Sequence, residues 1–182
     1  MGAPPEAADI VTFWREAGYK HWFGKDDAFD AEIGARFGAL QRRASRGEFA
    51  EWEATPEGAL ALVILLDQFS RNLNRGSAAA FENDPRAREV ADRALWLGYD
   101  RAVDPAMRSF FFLPFMHSEN LADQERCVAL YAEAGDENGL KYAREHHDII
   151  ARFGRFPHRN PALHRTTTPE EQAFLDGGGF KG

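Results

Sequence analysis

The chain has 182 residues, 44% of them hydrophobic, with 15 Phe and 4 Trp, and its formal net charge is -7. That length suits one domain, residues 1–182, with a substantial core, and the acidic balance argues against nucleic-acid binding by broad phosphate neutralisation. The lone cysteine, Cys127, excludes an internal disulfide framework and a cysteine-based zinc knot, and is expected to be a small buried hydrophobe.

The opening MGAPPEAADIV has no basic segment ahead of an apolar core, and Glu6 stands where a myristoylation signal wants Ser or Thr, so a cytoplasmic location is expected. Helical periodicity begins over residues 8–17 and continues over 27–45, where Phe29, Ile33, Phe37 and Leu40 share a face. A third helix is predicted over 56–70, opened by Thr55-Pro56, a capping side chain followed by proline at the first helical position. Its stretch ALALVILL is apolar on every face, which makes it the expected central helix. Neither this run nor FFFLPFM at 110–116 approaches the ~20 residues of a bilayer crossing, so no membrane span is expected.

Further helices are predicted over 85–97 and 105–113, opened by Asp84-Pro85 and Asp104-Pro105, and over 118–134 and 138–153. A short one starts at 169, where Thr168 and Glu171 complete a capping box. Alternating strand patterns are absent, so the expected fold is all-α: antiparallel helical hairpins in a tetratricopeptide-like right-handed array around the central helix. The tail GGGFKG, from about residue 177, is expected to be mobile.

Charge is unevenly spread. Residues 141–165 carry six Lys or Arg against two acids, which leaves the remainder at -11. Within that region HHDIIARFGRFPHRNPALHR, residues 146–165, holds four histidines and four arginines. The apolar face set by Leu140, Ala143, Ile150 and Phe153 is straddled by His146 and His147, so at least one should be buried.

The predicted central helix ends in LLDQFSRN, where Asp67 and Arg71 are four apart and should neutralise each other. Asp148 and Arg152 repeat that spacing, and RFPHRN echoes QFSRN. If the predicted helix 118–134 extends back through Met116, His117 joins a core-facing stripe with Leu121, Gln124, Val128 and Tyr131, and Glu119 points elsewhere.

Convergence of these segments would surround one hollow with Asp67, Arg71, His117, Glu119, Asp148, Arg152, Arg155, His158 and Arg159. Such a hollow suits a small anionic ligand or an acidic peptide end, because guanidinium forks grip carboxylate or phosphate and neutral imidazoles supply further hydrogen bonds. Arg71, Arg152, Arg155 and Arg159 would hold the anion, Asp67 and Asp148 would position arginines, and His117 and His158 would donate or accept. The same residues also fit a self-satisfied structural network.

An alternative is an enzyme, hydrolase-like, with His117 or His158 as general base beside Glu119. A third reading is a protein-binding scaffold that uses aromatic side chains. Metal ligation is not expected: HExxH is missing, and adjacent His146 and His147 project ~100° apart on a helix. No glycine-rich phosphate loop or nucleophile elbow appears, so no cofactor is expected. RFGRF could stack on RNA bases, but the acidic remainder opposes this. Exposed aromatics on a helical array would also suit a homodimer.

Several long stretches resemble the bacterial domain-of-unknown-function family 924: WFGKDDAFD at 22–30, LLDQFSRN at 65–72, AFENDPRA at 80–87, FFFLPFMHSEN at 110–120, HHDIIARFGRFPHRN at 146–160 and TPEEQAFL at 168–175. FW at 13–14 and RG at 75–76 match as well, so the resemblance spans nearly the whole chain. It implies a tetratricopeptide-type helical protein and carries no settled activity. The chain departs from the family pattern at Ser70, where proline is more frequent, at Asn74, where an aromatic is usual, and at His164, where glycine is typical. Ser70 in place of proline should let its helix run slightly further.

Overall fold

The protein is described by a computed structural model covering Gly2 and residues 4–180. Every regular element among these residues is helical. The helices are α1 (Pro5–Ala17), α2 (Tyr19–Trp22), α3 (Asp27–Ser45), α4 (Pro56–Val63), α5 (Ser70–Leu73), α6 (Asp84–Trp96), α7 (Leu113–Met116), α8 (Leu121–Ala134), α9 (Glu137–Phe153) and α10 (Pro169–Asp176). A π-helical segment, Ile64–Phe69, joins α4 to α5 without a break. No helix among the described residues is long and apolar enough to cross a membrane.

The chain groups into two compact units, one of residues 1–75 and 79–114, the other of 76–78 and 115–182. In the first unit α4 packs against α1 and α6, and the π segment packs against α3. Residues 58–70 are buried without exception, as an all-round apolar segment requires. Aromatic rings fill the space around them: Trp14 lies 5.4 Å from Phe69 and 5.9 Å from Phe110, and Phe37 stacks on Phe69 at 5.5 Å.

The predicted helix over 56–70 runs on to Leu73, as the absence of proline at 70 allows, but it widens to π geometry over Ile64–Phe69. Ser70 is fully used: it accepts from Gln41 Nε2 (3.0 Å) and Asn83 Nδ2 (3.1 Å) and donates to the Leu65 carbonyl (3.4 Å). A proline there would remove all three bonds.

Local caps are formed largely where the sequence signals them. Thr55 accepts from Gly58 N, Asp104 from Ala106 N, and Thr168 with Glu171 makes the full capping box. Asp84 departs from its expected capping role. It is the first residue of α6, and its carboxylate goes to Arg71 instead. The segment predicted as a helix over 105–113 is a 3-10 helix, Pro105–Phe111, followed by the single turn of α7.

In the second unit α8 and α9 form a hairpin joined at Gly135 and Asp136. Gly135 takes φ 69°, a left-handed value that favours glycine, and Asp136 caps α9 by accepting from Gly139 N. A Cβ on Gly139 would run into the Tyr131 ring, so a missing side chain lets the hairpin close. Cys127 is fully buried in α8, and burial pushes its thiol pKa up to about 12.

The helix expected from Ser118 begins three residues later, at Leu121. Asn120 caps it by accepting from Ala122 N, while the Ser118 hydroxyl donates to Asp123 (2.6 Å) and accepts from Asn120 N (3.2 Å). The apolar stripe shifts with this start. Gln124, Cys127 and Tyr131 face inward, whereas Leu121 is 42% exposed.

Candidate functional site

In the first unit, Asp67 is fully buried and accepts from Gln68 Nε2 and from Arg71 Nη1 at 3.0 Å. Arg71 also meets Asp84 through two parallel bonds, 2.8 and 2.9 Å long. Burial opposes a charge on Arg71, yet Asp67 and Asp84 outweigh it and hold the guanidinium pKa above its ordinary value. The expected neutralisation of Asp67 by Arg71 is present, but the bidentate partner is Asp84, 13 residues further on, which no local spacing marks.

The second unit holds the remaining candidates. Glu119, expected to point elsewhere, is half-buried and closely engaged: Arg165 donates to its two oxygens at 2.7 and 2.9 Å, and the Phe156 N–H donates at 2.8 Å. Burial alone would raise its pKa, but these bonds hold it below the ordinary carboxylate range. Arg159, 6% exposed, donates from Nη2 to the His117 carbonyl (2.9 Å), and its Cζ lies 4.5 Å from the Phe156 ring centre.

His146 is the buried member of the His146/His147 pair, at 6% exposure. Its Nδ1 lies 2.8 Å from the Tyr142 carbonyl, which can only accept, so in the neutral ring Nδ1 carries the proton. Burial lowers its pKa to about 4 despite that bond, with His117 and Arg159 adding to the fall. Burial likewise lowers His158, to about 3, helped by Arg159 and His146. The two imidazoles flank Phe156, each with its centre 5.6 Å from that ring, and Phe180 packs edge-on against both at 4.5 and 5.1 Å. His158 Nδ1 is buried and has no hydrogen-bond partner.

Arg152 and Arg155 face other partners. Arg152 pairs with Glu170 at 3.0 Å rather than with Asp148, which is exposed and lies 3.1 Å from His147. Arg155 donates to both oxygens of Glu171 at 2.6 and 2.9 Å and to the Thr166 carbonyl. Glu171 also accepts from Asn160 Nδ2 and Thr168 N, and this set, led by Arg155, lowers its pKa to about 2. The echo between QFSRN and RFPHRN has no structural counterpart: the first is continuous helix, the second a loop with the 3-10 turn Pro157–Arg159.

The second unit therefore brings His117, Glu119, His146, His158 and Arg159 together around Phe156, while Arg152, Arg155 and Asp148 are engaged elsewhere. Sequence reasoning missed Asp84, Arg165, Glu170, Glu171 and Phe180 as partners. Glu171 alone had a local signal, its capping-box position. His164, where the family pattern has glycine, takes φ 53°, a left-handed value that explains that preference. No group of three or more His, Cys, Asp or Glu among the described residues could hold a metal ion.

An all-helical chain with this arrangement matches the family described as "Bacterial protein of unknown function (DUF924)" over residues 10–179. The chain belongs to that family. It is similar to the solved structure of a protein of unknown function from Agrobacterium tumefaciens, with 48% sequence identity and a TM-score of 0.91, over 94% of this chain and 97% of the other. No curated protein matches the sequence.

Proposed function

We propose that the protein is a cytoplasmic anion-binding protein whose ligand meets Arg159, His117 and His158 in the second unit. The observation that carries this reading is the buried guanidinium of Arg159 among imidazoles held neutral, with His158 Nδ1 buried and unpartnered. A neutral imidazole can present an N–H to a carboxylate or phosphate without an accompanying carboxylate to repel it. Asp67, Arg71, Arg152, Arg155 and Asp148, also candidates from the sequence, contribute less, because each already meets an oppositely charged or polar neighbour.

Melting measurements with inorganic phosphate, acetate and succinate test the proposal. A ligand at 100 times its Kd adds about 2.7 kcal/mol and shows as a raised Tm. His158→Asn should remove that rise while leaving the unliganded Tm near its starting value. A flat Tm with every anion would overturn the reading.

The catalytic alternative, with His117 or His158 as base beside Glu119, gains less support because Arg165 and the Phe156 N–H already occupy that carboxylate. A scaffold or homodimer reading draws on exposed Trp96, Tyr19 and Phe23. The tetratricopeptide-like array draws on the α8–α9 hairpin.

A further inference from the structure

The stretch Gly177–Gly179 has no side chains and leads to a phenylalanine seated on the histidine cluster. Gly178 takes φ 87°, and a Cβ on Gly179 would lie 2.5 Å from the Phe174 carbonyl oxygen and 2.6 Å from the Phe174 ring. Glycine is therefore required for the chain to fold back over the end of α10. The turn is closed by Gly179 N donating to the Phe174 carbonyl at 2.9 Å.

The fold-back delivers one apolar group. Phe180 lies edge-on to His146 and His158, 4.5 and 5.1 Å from their centres, and rests against the cluster of Ile149, Ile150 and Phe156. The ring is only partly buried. A phenyl group at the end of a glycine tether, held by ring contacts, can be displaced by a free molecule of the same shape.

The polar surroundings select what else that molecule carries. His158 Nδ1 is buried without a hydrogen-bond partner beside Phe156, and the Arg159 guanidinium lies over the Phe156 ring at 4.5 Å. Four aromatic rings could also cage an ammonium group, but the guanidinium opposes a second cation. Glu119 does not offer a cation its charge, since Arg165 and the Phe156 N–H already occupy it.

We propose that the space held by Phe180 is the pocket for an aromatic anion, an aryl ring bearing a carboxylate or phosphate, and that Phe180 fills it as a displaceable stand-in. The ligand ring replaces Phe180 against His146 and His158, and its anionic group takes the His158 Nδ1–H and reaches towards Arg159. This rests on the anion-binding reading above and adds the ring. Removing the stand-in frees the pocket and raises the apparent affinity, because a ligand that competes with an internal occupant sees only the open fraction.

Calorimetric titration of phenyl phosphate and of inorganic phosphate into the full chain, into Phe180→Ala and into a chain ending at Gly179 tests this. Phenyl phosphate should bind the full chain about tenfold more tightly than inorganic phosphate, and the two altered chains more tightly again by about threefold or more. Equal or weaker binding of phenyl phosphate to both altered chains would overturn the stand-in role. If inorganic phosphate binds and the phenyl group adds nothing, the aromatic pocket falls while the anion site stands. If neither compound binds any of the three proteins, both fall. The shortened chain keeps every natural side chain up to Gly179, so it remains a valid test if Phe180→Ala folds poorly.

Discussion

The buried charges of the first unit and the buried imidazoles of the second solve the same problem in opposite ways. Around Arg71, two carboxylates supply the counter-charge and the guanidinium stays ionised. Around Phe156, His146 and His158 give up their protons instead, and burial is tolerated because nothing charged is buried on those rings. An ion network of the first kind specifies geometry and has little left to offer a ligand. Neutral imidazoles retain hydrogen-bonding capacity, so the second arrangement can serve as a site.

The sharpest way to break the comparison is Arg71→Ala, which strands the buried carboxylates of Asp67 and Asp84. Removal of one partner from a buried ion network costs about 3–5 kcal/mol, and urea denaturation should show a loss of that size. A loss below about 1 kcal/mol would mean that solvent already screens the trio.

Glu171→Ala comes next. It removes the acceptor shared by Arg155, Asn160 and Thr168 N, and charge-assisted bonds of this kind contribute about 1.5–3 kcal/mol. The same denaturation measurement should show a loss in that range, with Glu171→Gln falling between it and the wild type.

The histidines predict a pH dependence of the opposite sense to an ion pair. Their folded pKa values, about 4 and about 3, lie below the ordinary 6.5, so the unfolded chain binds more protons on acidification. Stability should be complete above about pH 6.5 and fall as the pH drops towards 4, by up to about 1.4 kcal/mol per pH unit for each histidine. Denaturation at pH 7 and at pH 5 isolates this effect, because Glu119 and Glu171, both lowered, remain ionised throughout that interval. The His146→Gln, His158→Gln double variant should flatten the curve, and an unchanged slope would place the protonation elsewhere.

The smallest effect concerns Cys127. Its thiol, buried with a pKa pushed up to about 12, should react with an aromatic disulfide reagent only as fast as the fold opens. Fast labelling of the native protein would contradict its burial in α8.

Local chemistry made much of the helical pattern legible. The Thr168–Glu171 box, the Thr55 cap and the all-round burial of ALALVILL follow from neighbours within a few residues. What depended on distant partners was not readable. Asp84 carries an N-capping signal and goes instead to Arg71, and Arg152 passes over Asp148, one turn away, for Glu170 across a loop. The start of α8 was misread because Ser118 and Asn120 are both competent caps and Ser118 is drawn off by Asp123. The aromatic seat of Phe180 was hidden by a glycine run that composition alone describes as loose.

The wide turn at Ile64–Phe69 has a consequence for evolution by insertion and deletion. A π segment accommodates one residue more than regular winding would, so excising a single residue there would let the helix rewind and swing everything beyond it by about 100° about its axis. Arg71 would then face away from Asp84, and Ser70 from Gln41 and Asn83, although no contacting side chain had been changed. Chain length across those six positions acts as an angular setting for the first unit's charges, and shortened sequences that keep the fold should carry compensating changes at positions 84 and 41.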